Sequence, residues 1–233
     1  MKFFEFLALH HYCEGLMIFT ALIAFIFSLR HYSWHRGFRI IPYYIGLFLF
    51  QATVADFTYF VSPRGDRFAI SLELISTIAL TIFECCVFNL LILHYIVGAG
   101  RRLAIKLNIV LFFMAEIFLY LRAFPRVPME SMCLLEPIAI VLPGVIYFYE
   151  LFTIVNPKAL KDRPSFWVVS GIMYLSVGSL TAMVCQQYLG RFGDAAYTLG
   201  NLFYSILFVL LMRAYKCSPD EWVVGDRYEK NIT

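Results

Sequence analysis

Residues 69–98 read AISLELISTIALTIFECCVFNLLILHYIVG, a run in which apolar side chains dominate. The run contains no Lys, Arg or Pro, and its carboxylic acids are Glu73 and Glu84. A bilayer core of about 30 Å is crossed by about 20 mainly apolar residues of α-helix. The run is long enough for such a helix, and we predict that it spans a membrane.

Six further segments of the same character flank this run, and short polar pieces with turn chemistry separate them. The seven predicted helices lie at about 9–29, 38–61, 69–98, 104–122, 132–155, 166–189 and 195–215. The first segment lacks a small-residue cleavage site, so we expect a retained helix rather than a signal peptide. We predict an all-α integral membrane protein, with a single seven-helix transmembrane domain over residues 1–216 and a short cytoplasmic tail over 217–233.

The composition of the whole chain agrees with a membrane protein. Of its 233 residues, 61% are hydrophobic and 15% are charged, and the mean hydropathy is +0.74. Soluble domains carry about 45–50% apolar and about 25% charged residues, so the composition excludes a soluble domain. Disorder needs low hydrophobicity and high net charge, and it is excluded too. The net charge of +3 is spread along the chain, which excludes a nucleic-acid-binding protein.

The basic residues predict how the chain is oriented in the membrane. Lys and Arg in short loops favour the cytoplasmic side. If the N-terminus lies outside, 13 of the 19 Lys and Arg residues fall in inner loops and the tail, and six fall on the outer side. We therefore predict an outer N-terminus and an inner C-terminus.

Polar side chains inside the predicted helices need an explanation, because a charge at the bilayer centre costs about 2.5–3.5 kcal/mol on insertion scales. We predict that these groups bind a ligand. The predicted ligand-binding residues are Glu14, Asp56, Glu73, Glu84, Glu116, Glu136, Gln186 and Asn201.

We predict how far each group lies below the outer membrane edge by counting about 1.5 Å per residue from the outer end of its helix. All except Glu84 fall in one outer layer, within about 10 Å of the outer edge. Glu84 lies at about 22 Å, where its one polar neighbour is Asn89. We expect Glu84 to be neutral or hydrogen-bonded, because no basic residue lies at its depth. Glu73, Thr81 and Glu84 share one face of the third helix.

Two interpretations of the polar layer stay open. The groups could line an outward-facing acidic pocket for a cationic or hydroxyl-bearing ligand, a metal ion or protons. They could instead form hydrogen bonds between helices and hold the bundle together without any ligand. The weak metal-ligand candidates are His10, His11 and Glu14, which lie on one face of the first helix. We expect no cofactor, since the last helix has no mid-span Lys for retinal and facing His pairs for haem are lacking.

Two sequence features predict how the helices pack. The pair Pro143-Gly144 inside the fifth helix predicts a kink, and kinks free backbone groups that often line cavities. Small residues recur along the sixth helix at Gly171, Gly178 and Ala182, which predicts a close approach of another helix. A disulfide among Cys13, Cys133 and Cys185, near one predicted membrane face, is left open.

Three pieces of the C-terminal half resemble a known group of proteins. They are YFYELF at 147–152, PSFWVVSGIMY at 164–174 and GNLFYSILF at 200–208. These pieces resemble small bacterial seven-helix membrane proteins that are often encoded beside, or fused to, sensor histidine kinases. The resemblance implies a location in the bacterial inner membrane and a separate kinase partner, because this chain carries no kinase domain.

The function predicted from the sequence is a sensory, receptor-like membrane module that binds a ligand in the acidic pocket and signals to a separate partner protein. Its partners would be the lipid bilayer, a histidine kinase or another membrane protein, and an unidentified small molecule or ion. One alternative is a structural or assembly subunit of a membrane complex. A metal-dependent intramembrane enzyme or transporter is a weaker alternative, so an enzyme is not favoured. The sequence leaves the ligand and the oligomeric state open.

Overall fold

The computed structural model describes residues 3–32, 36–61, 67–123, 129–154, 157–189 and 193–217, with side chains over most of these ranges. This part of the chain folds into seven α-helices, so the predicted all-α seven-helix fold is confirmed. The helices are α1 (Phe3–Arg30), α2 (Ile40–Val61), α3 (Arg67–Tyr95), α4 (Ala99–Ala123), α5 (Met129–Ile154), α6 (Pro164–Leu189) and α7 (Gly193–Ala214). Short 3-10 helices at Arg36–Arg39 and Pro157–Asp162 precede α2 and α6.

Five of the described helices contain a stretch long and apolar enough to cross a membrane. These stretches are His11–Arg30, Leu74–Tyr95, Ala99–Arg122, Leu134–Thr153 and Pro164–Val184. The described parts of α2 and α7 contribute the shorter apolar stretches Ile40–Ala55 and Thr198–Ala214. The chain is therefore an integral membrane protein whose helices contact lipid.

The helices pack as a bundle in which α7 lies against α1 and α6, and α3 lies against α2 and α5. Helix α4 packs mainly on α5 and presents a row of exposed apolar side chains along most of its length. Large buried side chains such as Tyr44, Phe88, Phe208 and Ile92 fill the interior. A bundle in lipid needs close packing, since the tails of the lipids are as apolar as the helix surfaces.

Helix α6 meets α7 through its glycines, as the spacing of small residues predicted. A Cβ atom on Gly178 would lie 2.7 Å from the ring of Phe203 in α7. A Cβ atom on Gly171 would lie 3.0 Å from the Leu207 side chain. The absence of a side chain at these two positions lets the two helix backbones approach closely, which confirms that prediction.

Helix α5 continues through Pro137 and Pro143 without interruption. A proline has no N–H, so Pro143 cannot bond the carbonyl four residues earlier, at Ala139. That carbonyl instead accepts a hydrogen bond of 2.6 Å from Asn108 Nδ2 of α4. The freed backbone group is therefore used to join two helices.

One end of the bundle is closed by aromatic side chains, which we call the aromatic end and define by Phe38, Tyr95, Tyr147 and Tyr215. The ring of Phe38 lies 6.3 Å from that of Tyr95 and 5.7 Å from that of Tyr215. The ring of Tyr147 lies 6.1 Å from that of Tyr95 and its hydroxyl donates to Ser165 Oγ at 2.9 Å. The C-terminal ends of α3, α5 and α7 therefore meet at this end.

Candidate functional site in the bundle interior

Glu84 of α3 lies at the centre of a hydrogen-bonded group that joins three helices. Its side chain is buried, with 2% of its surface exposed. The hydroxyl of Tyr44 in α2 donates to Oε1 at 3.2 Å, and the hydroxyl of Tyr204 in α7 donates to Oε2 at 3.1 Å. The prediction that Glu84 is hydrogen-bonded is confirmed. The prediction that Asn89 is its one polar neighbour is wrong, because the tyrosines of two other helices reach it.

Glu136 of α5 lies close to Glu84, and Glu116 of α4 lies close to Glu136 in turn. The carboxyl group of Glu136 in α5 interacts electrostatically with those of Glu84 and Glu116, and the Thr81 hydroxyl also faces it. The sequence placed Glu84 about 15 Å deeper than the layer that contains Glu116 and Glu136. That depth assignment is wrong, since Glu84 shares its surroundings with Glu136.

The depth was wrong because each helix was counted from its own outer end, whereas the register between helices sets which residues meet. The backbone N–H of Val97, just after α3, donates to Glu150 Oε1 of α5 at 2.7 Å. Both helices run toward the aromatic end. Glu84 precedes Val97, and Glu136 precedes Glu150, by about four helical turns each, so the two glutamates lie at the same level. This register brings together two carboxyl groups that the sequence separated.

Glu116 of α4 is the most unusual member of the group. Its side chain is buried, with 4% exposed, and neither carboxylate oxygen has a hydrogen-bond partner among the described residues. Asn201 of α7, 5% exposed, likewise has an Nδ2 atom without an acceptor in this part of the chain. Buried polar groups without partners are rare in native proteins and need a specific explanation.

Of the other predicted ligand-binding residues, Glu14 is the one whose side chain is described, and it has its contact elsewhere. Glu14 is half-buried in α1, and its Oε2 lies 3.7 Å from Nδ1 of His11, one turn away. The side chains of Asp56, Glu73, Gln186 and His10 lie outside the described residues, so their place in a pocket stays a prediction. Cys13 is a free thiol, whereas the side chains of Cys133 and Cys185 also lie outside the described part.

A metal site has no support in the described part of the chain. No group of three or more His, Cys, Asp or Glu side chains there is arranged to hold a metal ion. His11 and Glu14 form a pair on the surface of one helix, where more than half of the His11 side chain is exposed. The chemistry of the interior group is that of carboxyl oxygens, phenolic hydroxyls and aromatic rings.

The rings of Tyr44 and Tyr204 flank Glu84, and neither residue is among those predicted for the site from the sequence. The Tyr44 ring packs against Phe88 at 5.0 Å, and the Tyr204 ring packs against Phe48 at 4.8 Å. The sequence signal for these residues is weak, since aromatic residues make up 18% of the chain. Asn201 and Tyr204 lie three residues apart on one face of α7, and this spacing is the local signal that Tyr204 points inward.

A second polar group joins α3, α4 and α5 near the aromatic end. Nη1 of Arg101 in α4 lies 2.9 Å from Oε2 of the buried Glu150, and its guanidinium stacks on the Tyr149 ring at 5.3 Å. The pair is an ion pair rather than an aligned hydrogen bond, because Oε2 has no donor at hydrogen-bonding angles among the described residues. Glu150 thus holds both the N–H of Val97 and the side chain of Arg101.

The fold and the site together define the class of protein, a helical integral membrane protein with a group of carboxyl side chains between its helices. Comparisons of this chain with protein-family models, with curated proteins and with solved structures find no match. Proposals about its function therefore depend on the chemistry of the interior group.

Proposed function

We propose that this chain is a sensory, receptor-like membrane module whose interior site binds a small organic cation. The site consists of Glu84, Glu116 and Glu136. The observation that carries the proposal is the buried Glu116 carboxyl group, which has no hydrogen-bond partner among the described residues. A bound cation would satisfy this group and would also reduce the repulsion between the carboxylates.

The balance of charge supports a cationic ligand. Among the described residues, neither of the recorded ion pairs joins a Lys or Arg to these three acids. A charged carboxylate in the hydrocarbon region costs about 2.5–3.5 kcal/mol unless another charge compensates it. Glu136 interacts electrostatically with both Glu84 and Glu116, and such a group is stable only when its members are protonated or when a cation neutralises them.

The aromatic rings favour an organic cation over a bare metal ion. Ammonium groups bind over the faces of Tyr and Phe rings, with a contribution of about 2 kcal/mol or more when the site is desolvated. Tyr44 and Tyr204 contribute such rings, and their hydroxyls already contact Glu84. Carboxylates combined with aromatic rings therefore suit a protonated or quaternary amine.

The route by which binding would be transmitted follows from the helices that Glu84 joins. A cation that withdraws Glu84 from Tyr204 would release α7 from α3, and α7 leads to Tyr215 at the aromatic end. The tail beyond residue 217 continues from there. A separate partner would read this change, and the resemblance of helices 5 to 7 to kinase-associated bacterial proteins points to a sensor histidine kinase.

We also propose that all seven helices cross a bacterial inner membrane, with the aromatic end inside and the N-terminus outside. The support is the distribution of basic residues, since Arg39, Arg101, Lys161 and Lys216 belong to the segments at the aromatic end. Single cysteines placed at Ser62 and Ser218 of a cysteine-free chain test this topology. An impermeant thiol reagent on intact cells should label the first and spare the second, and the opposite result would reverse the orientation.

A structural or assembly subunit is the second candidate function. It is favoured by Glu84, whose two carboxylate oxygens are both satisfied by tyrosines of neighbouring helices. In that case the acids hold the bundle together, and no ligand is needed. The predicted alternative of a metal-dependent enzyme or transporter has no comparable support.

Thermal unfolding of the purified chain in detergent distinguishes these functions. Choline chloride, sodium chloride and magnesium chloride are compared at equal ionic strength on the unchanged chain and on Glu116→Gln, Glu136→Gln and Glu14→Gln. We expect choline to raise the melting temperature, because a ligand at 100 times its Kd stabilises the folded state by about 2.7 kcal/mol. Glu116→Gln and Glu136→Gln should abolish the increase, and Glu14→Gln should keep it as the matched control.

Three results would favour the structural subunit instead. The first is that no cation changes the melting temperature of the unchanged chain. The second is that the choline effect persists in Glu116→Gln, which would show that any binding occurs elsewhere. Destabilisation by each acid-to-amide change, of about 0.6 kcal/mol as for a typical membrane hydrogen bond, would point the same way.

A further inference from the structure

Basic side chains gather on the lipid-facing side of the α3–α4 turn, at the aromatic end of the bundle. His94, Arg102 and Lys106 all have exposed side chains. Arg102 lies close enough to His94 to affect it electrostatically. Lys106 lies one helical turn beyond Arg102, so the two side chains project from the same face of α4.

The positive charge of Arg102 and Lys106 is not compensated within α4. The one acidic residue of that helix is Glu116, which lies about 15 Å from Lys106 along the helix axis. The nearby Glu150 forms an ion pair with Arg101, whose guanidinium stacks on the Tyr149 ring. Within the described part of the chain, neither ion pair involves Arg102 or Lys106, and both exposed cations face the membrane interface.

An apolar surface continues from these charges toward the middle of the membrane. Leu103 and Leu107 of α4 are 57% and 54% exposed, and Val110 continues the same strip. On α3, Leu90 is exposed one turn before His94. The surface thus combines a cationic end with an apolar strip that runs along the helix.

We propose that this surface, defined by His94, Arg102, Lys106, Leu103 and Leu107, binds one anionic phospholipid. Arg102 and Lys106 hold the phosphate, because charge-assisted hydrogen bonds to phosphate are among the strongest that these side chains form. The His94 ring lies beside Arg102 at the edge of this group. An acyl chain lies along Leu103 and Leu107.

A lipid fits this surface better than a soluble phosphate. A free phosphate ion would use the charged end and leave the apolar strip unused. Basic clusters next to membrane-spanning helices attract anionic lipid headgroups, each Lys or Arg contributing about fivefold in affinity. The strip and the charges together match the two halves of one phospholipid.

Native mass spectrometry of the full chain, released from detergent micelles, tests the proposal. Phosphatidylglycerol and phosphatidylcholine with identical acyl chains are titrated separately, and the Kd of the first bound lipid is measured. We expect the unchanged chain to prefer phosphatidylglycerol. The double variant Arg102→Gln/Lys106→Gln should lose about 25-fold in affinity for phosphatidylglycerol, at about fivefold per charge, and keep its affinity for phosphatidylcholine.

A matched control removes two charges from the same end of the bundle but away from α4. Lys161 and Lys216 are both exposed, and Lys161→Gln/Lys216→Gln should leave the preference for phosphatidylglycerol intact. The single variants Arg102→Gln and Lys106→Gln, each expected to lose about fivefold, carry the test if the double variant does not fold.

Three outcomes would overturn the proposal. The unchanged chain could bind the two lipids equally well. The two double variants could lose the same affinity, which would indicate a general attraction to the positive end of the bundle. Glycerol phosphate at millimolar concentration could displace the lipid completely, which would show that the headgroup alone is bound and that the apolar strip contributes nothing.

Discussion

The side-chain amide of Asn108 donates a hydrogen bond of 2.6 Å to the backbone carbonyl oxygen of Ala139. The carbonyl is available because Pro143, four residues later, has no N–H to offer it. Pro143 in α5 therefore leaves the Ala139 carbonyl oxygen without its helical donor, and Asn108 of α4 donates to this oxygen instead. The peripheral helix α4 is fastened to the bundle at this point.

Removal of this hydrogen bond should destabilise the protein. We expect Asn108→Ala to lower the free energy of unfolding by about 1–2 kcal/mol, since it leaves a carbonyl oxygen in an apolar environment without a partner. Unfolding of the purified chain by sodium dodecyl sulfate measures this change. In a Pro143→Ala background the same substitution should cost much less, because residue 143 then supplies an N–H to Ala139. Equal costs in both backgrounds would contradict this account.

Replacement of Glu84 by Gln should have little effect on folding. A Gln side chain still accepts from one tyrosine, and its amide group can donate to the oxygen of the other. We expect Glu84→Gln to change the free energy of unfolding by less than about 0.5 kcal/mol, whereas Glu84→Leu should cost about 1–3 kcal/mol because both tyrosine hydroxyls lose their acceptor. Thermal unfolding in detergent measures both. A large loss in Glu84→Gln would show that Glu84 is a charged, paired residue.

A side chain at Gly178 should push α6 and α7 apart. We expect Gly178→Ala to destabilise the chain by about 1–3 kcal/mol, the usual cost of overpacking, because its Cβ would lie 2.7 Å from the Phe203 ring. Gly15 has nothing within 4 Å of the same position, so Gly15→Ala is the matched control. The control should be neutral or stabilising, since Ala favours helix by up to about 1 kcal/mol over Gly. A smaller side chain in Phe203→Leu should rescue Gly178→Ala.

The ion pair at the α3–α4 turn should respond unequally to the loss of its two partners. Arg101→Gln leaves the buried Glu150 carboxylate without its cation, and we expect a loss of about 1–2 kcal/mol because Arg101 is itself partly exposed to solvent. Glu150→Gln should cost less, since a Gln oxygen still accepts from the N–H of Val97. Thermal unfolding of the two single variants measures the difference. A greater loss in Glu150→Gln would mean that the backbone contact requires a negative charge.

The helices, and the face of α6 on which another helix packs closely, could be predicted from the sequence alone. Whether a segment such as residues 69–98 enters a membrane depends on the summed hydropathy of about 20 consecutive residues, which is a local property. A close approach of some other helix to α6 could likewise be predicted, because glycines that recur along one face permit it wherever the partner lies. Pro143 indicated that a carbonyl would lack its usual donor.

Which polar groups meet was decided by the tertiary structure. The bond between the N–H of Val97 and Glu150 sets the register of α3 against α5, and this register brings Glu84 beside Glu136. Tyr44, Tyr204 and Glu84 are far apart in sequence, and nothing local to any of them specifies the other two. A segment's insertion into a bilayer depends on that segment alone, whereas register depends on side chains of several helices that must pack together at once.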